Sequence, residues 1–254
     1  MIPTRKTNLH ESNLTARKIA YFDTKLFDSY RFWARDWNWD PIDLPRRYLR
    51  YGDDTYLIYL PNNDTRVKGF SELTKTYPKE IDQLWTEIIK PVVVNYIVPL
   101  TEIADPVIVQ CDIARMRPVT GDTVMHTDTR YHQRYSRRYN IAIDTNPDCW
   151  LYHYSYDLNN GGSRDHISEG ELWEINNKIV HTAVNYGKTW RTHLIVDIMP
   201  QNYWNRMCEL YDPYAKVPNP QGKNHTYDYD IAGNLIDEPL FRDLPHCFSA
   251  RTHI

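Results

Sequence analysis

The stretch Glu169–Pro200, EGELWEINNKIVHTAVNYGKTWRTHLIVDIMP, reads as three short extended runs cut by turn residues. Glu171–Ile175, Ile179–Asn185 and Arg191–Ile198 carry the apolar, β-branched and aromatic residues of strands. Asn176–Asn177 and Asn185–Tyr186–Gly187–Lys188 between them are turn-formers, the second suited to a hairpin. Alternation along the last run puts Arg191, His193, Ile195 and Asp197 on one face, with Thr192, Leu194, Val196 and Ile198 on the other. An arginine opening a strand that is otherwise apolar needs an anionic partner, because a buried unpaired charge is costly. A structural salt bridge and a bidentate hold on a ligand carboxylate both satisfy that need.

Working outward, the same pattern recurs upstream in Val107–Arg115, Arg138–Asp144 and Trp150–Tyr156. Turns are expected at Asn146–Pro147–Asp148 and Asn159–Asn160–Gly161–Gly162, and the polar stretch Asn159–Asp165 suits a loop over a site. Six short strands at this spacing predict an all-β barrel or double-sheet jelly roll. In Arg138–Asp144, Arg138, Asn140 and Ala142 share one face and Tyr139, Ile141 and Ile143 the other. Either a barrel strand with polar residues inward or a surface strand with a wet face gives this pattern. Before the strands, Ile81, Leu84, Trp85, Ile88 and Ile89 follow the spacing of an amphipathic helix within Lys79–Val98, expected to end or kink near Pro91. Tyr56–Leu60 reads as a further strand and Asn62–Asn63–Asp64 as a turn.

One domain over residues 1–254 is the simplest organisation, with an N-terminal extension of about 1–100, a core of about 105–200 and a C-terminal arm of about 201–254. The first 50 residues are expected to wrap a surface, and the Pro-, Asn- and Asp-rich stretch from Asp212 onward to form an arm or lid. A net charge of −3 supplies no global field for nucleic acid, and none is expected as a partner. The basic cluster Arg130–Arg138, with four arginines, reads better as a local site for a small carboxylate. Cys111, Cys149, Cys208 and Cys247 form no CxxC pair and suit reduced thiols. The polar N-terminus lacks the apolar run of a signal peptide, and Pro91–Leu100 is too short to span a bilayer. A cytoplasmic protein with no membrane partner is expected.

The sharpest chemistry is His126–Thr127–Asp128 with His181 53 residues later. Histidine and aspartate two residues apart on an extended segment project to one side, and a second strand can bring the other histidine. Two histidines and a carboxylate occupy one face of an octahedral metal such as iron(II). An HxD alone is weak, and a solvated surface pair is the competing reading. His132, His153, His166 and His193 are read as satisfied core or surface residues, His193 being notable for sharing a face with Arg191. The tyrosines of WLYHYSYDL are expected to pack the sheet, and Asp144 and Asp197 to be structural.

The segment from Arg115 to Pro200 resembles the catalytic core of the aspartyl/asparaginyl β-hydroxylase family of 2-oxoglutarate dioxygenases. The resemblance covers the middle third of the chain, through the HxD, the EGELWEINNKIVH approach to the second histidine, and the arginine ten residues later in RTHLIVD. It implies a mainly β fold with flanking helices, a double-stranded β-helix (jelly roll, cupin-like). It implies Fe(II) on His126, Asp128 and His181, and 2-oxoglutarate and O2 as cosubstrates. Arg191 would clamp the 2-oxoglutarate carboxylate, Arg138 would be a second carboxylate contact and Asn140 a weaker one. The best-known animal hydroxylases of the family have glycine where this chain has Asp128, which favours a full triad and leaves the substrate open. The expected reaction is hydroxylation of an amino-acid residue in a peptide or protein, or of a free amino acid; another small molecule also remains open. The alternatives are a cupin-like metal enzyme that does not use 2-oxoglutarate and a non-catalytic β-barrel binding module.

Overall fold

A computed structural model describes residues 15–28, 55–59, 84–119, 121–123, 125–126, 128, 130–154, 163–177 and 179–210. The strands among them are β1 Ala16–Tyr21, β2 Thr55–Tyr59, β3 Pro106–Met116, β4 Gly121–Asp122 and β5 Arg137–Asp144, then β6 Cys149–Tyr154, β7 Ser163–Asp165, β8 Glu171–Ile175, β9 Val180–Asn185 and β10 Arg191–Pro200. Helical segments are α1 (residues 84–100, its last turn, Val98–Leu100, 3-10), α2 Tyr131–Tyr135 and α3 Gln201–Leu210, with a further 3-10 turn at Thr24–Phe27.

All strand pairings are antiparallel and fall in two sheets, ordered β1-β8-β5-β10-β3-β2 and β4-β9-β6-β7. From β3 to β10 the chain crosses repeatedly between them, so β8-β5-β10-β3 faces β4-β9-β6-β7. That is the eight-stranded double-stranded β-helix, or jelly roll, with β1 and β2 added at the two edges of the larger sheet. The expected fold class is what the chain adopts.

Period-two alternation sorts the larger sheet into two unlike faces. Outward, Cys111, Ile113, Tyr139, Ile141, Leu194, Val196 and Ile198 meet Ile89, Val92, Val93 and Ile97 of α1 in the main apolar core. The helix is needed because that face is continuous hydrocarbon. Of the two expectations, an end or a kink near Ile89, the end is not what the chain adopts: α1 runs past Pro91 to Leu100, with wide π-type winding at Leu84–Ile89 and Val93–Ile97. Pro91 removes an amide donor from the middle of this run. Inward, Met116, Ala142 and Ile175 meet Leu151 and Ala183 of the smaller sheet in a thinner second core. Polar side chains share that inner face.

The six central strands match the sequence expectation within one or two residues. β1, β4, β7, α2 and α3 were not expected, and β7 lies inside the stretch read as a loop. The turns at 62–64 and 159–162 and the arm from Asp212 lie outside the described residues, as do most of the first 50 residues. Among the described residues no helix is long and apolar enough to cross a membrane.

Candidate metal centre

His126 and His181 sit directly opposite each other, just beyond β4. The His126 N–H donates to the His181 carbonyl (3.0 Å) and the His181 N–H to the His126 carbonyl (2.8 Å). A pair exchanging both backbone bonds sends its two side chains to the same face. The imidazole centroids are 4.5 Å apart. Two imidazoles on adjacent octahedral positions, with metal–nitrogen bonds of ~2.1 Å, would lie ~4.6 Å apart. Asp128 completes the group, its Oδ1 3.7 Å from His126 Nε2, and one ligand atom from each of the three residues lies within 4.8 Å of the others. The spacing and donor set fit the iron(II) that the sequence resemblance implies.

Each member is held from behind. His181 Nδ1–H donates to the Ile179 carbonyl (2.9 Å), leaving Nε2 bare for a metal. Burial, with His126 beside it, pushes the His181 pKa down to about 3, so the ring is neutral at physiological pH. The backbone N–H of Asp128 donates to the Asn177 carbonyl (3.2 Å), and Asn177 Nδ2 donates to Asp128 Oδ2 (2.9 Å). Arg138 Nη1 donates to the same oxygen. Burial works against charge on Asp128, yet Arg138, His181 and His126 hold its carboxyl well below the usual carboxylate range. Oδ1 is therefore the oxygen left to face the two imidazoles.

Arg138 is itself fixed by Asp197, which accepts from Nε (2.8 Å) and Nη2 (2.7 Å). The face expected to be either inward or wet is thus inward, and Arg138, expected as a cosubstrate contact, is engaged with two protein carboxylates. Asp197 is structural, as expected. Next to this group Gln110 bonds both His132 and Asp112. Burial pushes the Asp112 pKa up to about 8, against the opposing pull of Gln110 and Arg138. Asp112 is a buried carboxylic acid at neutral pH.

Arg191 opens β10 on the same inner face and is 4% exposed. Its guanidinium meets His193 Nδ1 (3.0 Å) and the Met116 sulfur (3.4 Å), and no carboxylate among the described residues. Burial lowers its pKa to about 10, so it remains a cation. Asn140, also inward and buried, has no hydrogen-bond partner for Oδ1 among the described residues. His153 stands beside His181 with centroids 5.9 Å apart, wider than adjacent ligand positions allow. Of the cluster Arg130–Arg138, Arg137 and Arg138 point into protein carboxylates, Arg137 pairing with Glu174.

The structure thus brings His126, Asp128, His181 and Arg138 together, with Asn140 and Arg191 on the same lining. The sequence reading missed Asn177, whose only signal was its place in the EINN approach to His181, and the Gln110–Asp112–His132 chain.

No protein-family model matches the chain, and no curated protein matches it in sequence. Among solved structures it is similar to an oxidoreductase of the 2OG-Fe(II) oxygenase family from Burkholderia pseudomallei, at 14% identity over 73% of this chain and 84% of that one, TM-score 0.46. It is similar to a Pseudomonas putida prolyl-4-hydroxylase at 13% identity over 74% and 93% of the two chains, TM-score 0.42. A non-heme alpha-ketoglutarate-dependent epimerase from nogalamycin biosynthesis has 12% identity over 70% and 73%, TM-score 0.47.

Proposed function

We propose that this protein is an Fe(II)/2-oxoglutarate-dependent dioxygenase that hydroxylates an amino-acid residue in a peptide or protein, or a free amino acid. The observation that carries the reading is Arg191, a buried cation with no carboxylate partner among the described residues, on the same barrel lining as a two-histidine, one-carboxylate cluster. A cation so placed is completed by an anionic ligand, such as the distal carboxylate of a keto acid. The resemblance of Arg115–Pro200 to the aspartyl/asparaginyl β-hydroxylase family supports the same assignment.

In this reading His126 Nε2, Asp128 Oδ1 and His181 Nε2 hold iron(II), which supplies oxygen activation coupled to keto-acid decarboxylation. Asn177 and Arg138 keep Asp128 monodentate, so three protein ligands leave room for exchangeable ones. Arg138 serves through Asp128 and not as a direct cosubstrate contact. Arg191 holds the distal carboxylate, and the Asn140 amide lies on the wall between the two ends. His126 keeps 23% of its side chain exposed against 9% for Asp128, so the amino-acid substrate approaches on the His126 side.

The test is thermal stability with Mn(II), then with 2-oxoglutarate, for wild type and Arg191→Met. A ligand at one hundred times its Kd stabilises by ~2.7 kcal/mol, or ~5–10 °C for a chain of this size. The expected result is a 2-oxoglutarate shift that needs the metal and is lost in the variant while the metal shift remains. A metal shift with no response to 2-oxoglutarate moves the assignment to a cupin-like enzyme that does not use it. No shift from either ligand sinks the oxygenase reading.

A further inference from the structure

Two residues separate Thr123 from His126, whereas Thr182 alone separates Ala183 from His181. β4 pairs with β9 in regular antiparallel register, Gly121 opposite Asn185 and Asp122 opposite Val184. Thr123 continues that register, its N–H donating to the Ala183 carbonyl (2.9 Å). Carried two residues further, the same pairing would set Met125 opposite His181 and turn His126 to the other face of the sheet. The structure instead sets His126 opposite His181, with both backbone bonds made. One extra residue is taken up between Thr123 and His126, the two-against-one count of a β-bulge.

A bulge breaks the ladder, and two hydroxyls repair this one. In a regular pair the Ala183 N–H would donate to the Thr123 carbonyl. Here it donates to Thr123 Oγ1 (2.9 Å), and the Thr123 carbonyl accepts from Thr182 Oγ1. Thr182 is 8% exposed, so water has little access to take the place of its hydroxyl. We propose that Thr123 and Thr182 are positioning residues, whose hydroxyls stabilise the bulged register over the regular one and so keep His126 on the metal-binding face. The regular register needs neither hydroxyl, because the Ala183 N–H and the Thr123 carbonyl then satisfy each other. The two pairings differ by one residue, and only the bulged one presents both histidines to a metal. Apparent metal affinity falls with the fraction of chains in that pairing. The inference rests on the reading of His126, Asp128 and His181 as the metal centre.

The test compares wild type with Thr123→Val/Thr182→Val and Thr123→Ser/Thr182→Ser, and repeats the first two with Val124 deleted. Deletion removes the extra residue, so that regular pairing itself sets His126 opposite His181. Zn(II) affinity is read by competition titration, and the number of bound imidazoles by the nitrogen couplings of the Cu(II)-loaded protein in electron paramagnetic resonance. The valine variant is expected to bind Zn(II) at least about 10-fold more weakly, with one imidazole coupling in place of two. The serine variant keeps the wild-type values. Deleting Val124 restores both readings in the valine variant and leaves both unchanged in wild type. Unchanged affinity in the folded valine variant, two imidazoles retained despite weaker binding, or a deletion that fails to rescue overturns the proposal. A general loss of stability lowers the melting temperature without removing one imidazole. Where the valine variant does not fold, Thr182→Ala takes its place with the same outcomes. If wild type binds no metal, the metal-centre reading falls, and cross-strand amide–amide NOEs of the metal-free protein decide the register separately. A contact of His126 with His181 in wild type, replaced by one of Met125 with His181 in the valine variant, supports the proposal, and any other pattern overturns it.

Discussion

Replacing Arg138 by Met should destabilise the metal-free protein severely, and metal should repair much of the damage. The guanidinium bonds Asp197 through Nε and Nη2 at 2.8 and 2.7 Å and reaches Asp128 through Nη1, all buried. Methionine matches the stem and removes every one of these donors, leaving two buried carboxylates without their cation. Breaking one buried pair costs ~3–5 kcal/mol, and two orphaned carboxylates place the loss at the upper end. At ~2–4 °C per kcal/mol the melting temperature falls by ~10–20 °C. Mn(II) gives Asp128 a new countercharge, so it should raise the variant's melting temperature by more than it raises wild type's. Adding Asp197→Leu removes one of the two orphans, so the metal-free double variant should recover about half of the loss, and Mn(II) on Asp128 most of the rest. Urea unfolding of wild type, both single variants and the double variant, with and without Mn(II), closes a double-mutant cycle. A loss below ~1 kcal/mol in Arg138→Met, or a double variant no more stable than that single one, would refute the role of the pair.

Asn177→Ala removes the Nδ2 bond to Asp128 Oδ2 while leaving the backbone bond in place. Metal affinity should drop ~10- to 100-fold with folding intact, measured by Zn(II) competition titration; unchanged affinity would show that Asn177 does not orient the ligand. Asp112, with a folded-state pKa of about 8 against ~3.9 unfolded, holds a proton that the unfolded chain lacks between those values. Its contribution is full below pH ~4 and is lost as pH rises toward 8, at up to ~1.4 kcal/mol per pH unit. Asp112→Asn should remove that downward slope from the stability curve between pH 4 and 8, and parallel curves for the two proteins would exclude a buried protonated Asp112.

Local pattern carried most of the barrel. Arg138–Asp144 and Arg191–Ile198 are long enough for alternation to show, and each buries one apolar face under α1. β4 and β7 span two and three residues, too few for any period, and β1 makes sense only beside β8, some 150 residues away. The grouping of His126, Asp128 and His181 was legible because two of its members sit in one HxD. Its supports were not. Arg138 finds Asp128 ten residues before it and Asp197 59 residues after it, and its pattern alone is equally that of a wet strand face. Asn177 reads as a turn residue until the turn is seen folded against Asp128. Tertiary pairing, not composition, assigns such groups their work.

Charge around the metal cluster and Arg191 separates the ligands that this barrel can keep. Asp128 and Asp197 are negative, Arg138 and Arg191 positive, and Asp112, with its pKa near 8, is mostly neutral at pH 7. These four ionised groups, Asp128, Asp197, Arg138 and Arg191, sum to zero. A divalent metal alone adds two positive charges to a low-dielectric space that already holds Arg191, which has no carboxylate partner among the described residues. A dianion that chelates the metal at one end and reaches Arg191 at the other returns the sum to zero and gives both cations a partner. A monoanionic keto acid leaves one positive charge, and leaves it at Arg191, which is buried. Ligand charge should therefore matter more than ligand length, with a dicarboxylate one carbon longer or shorter than 2-oxoglutarate binding better than a monocarboxylate of the same length.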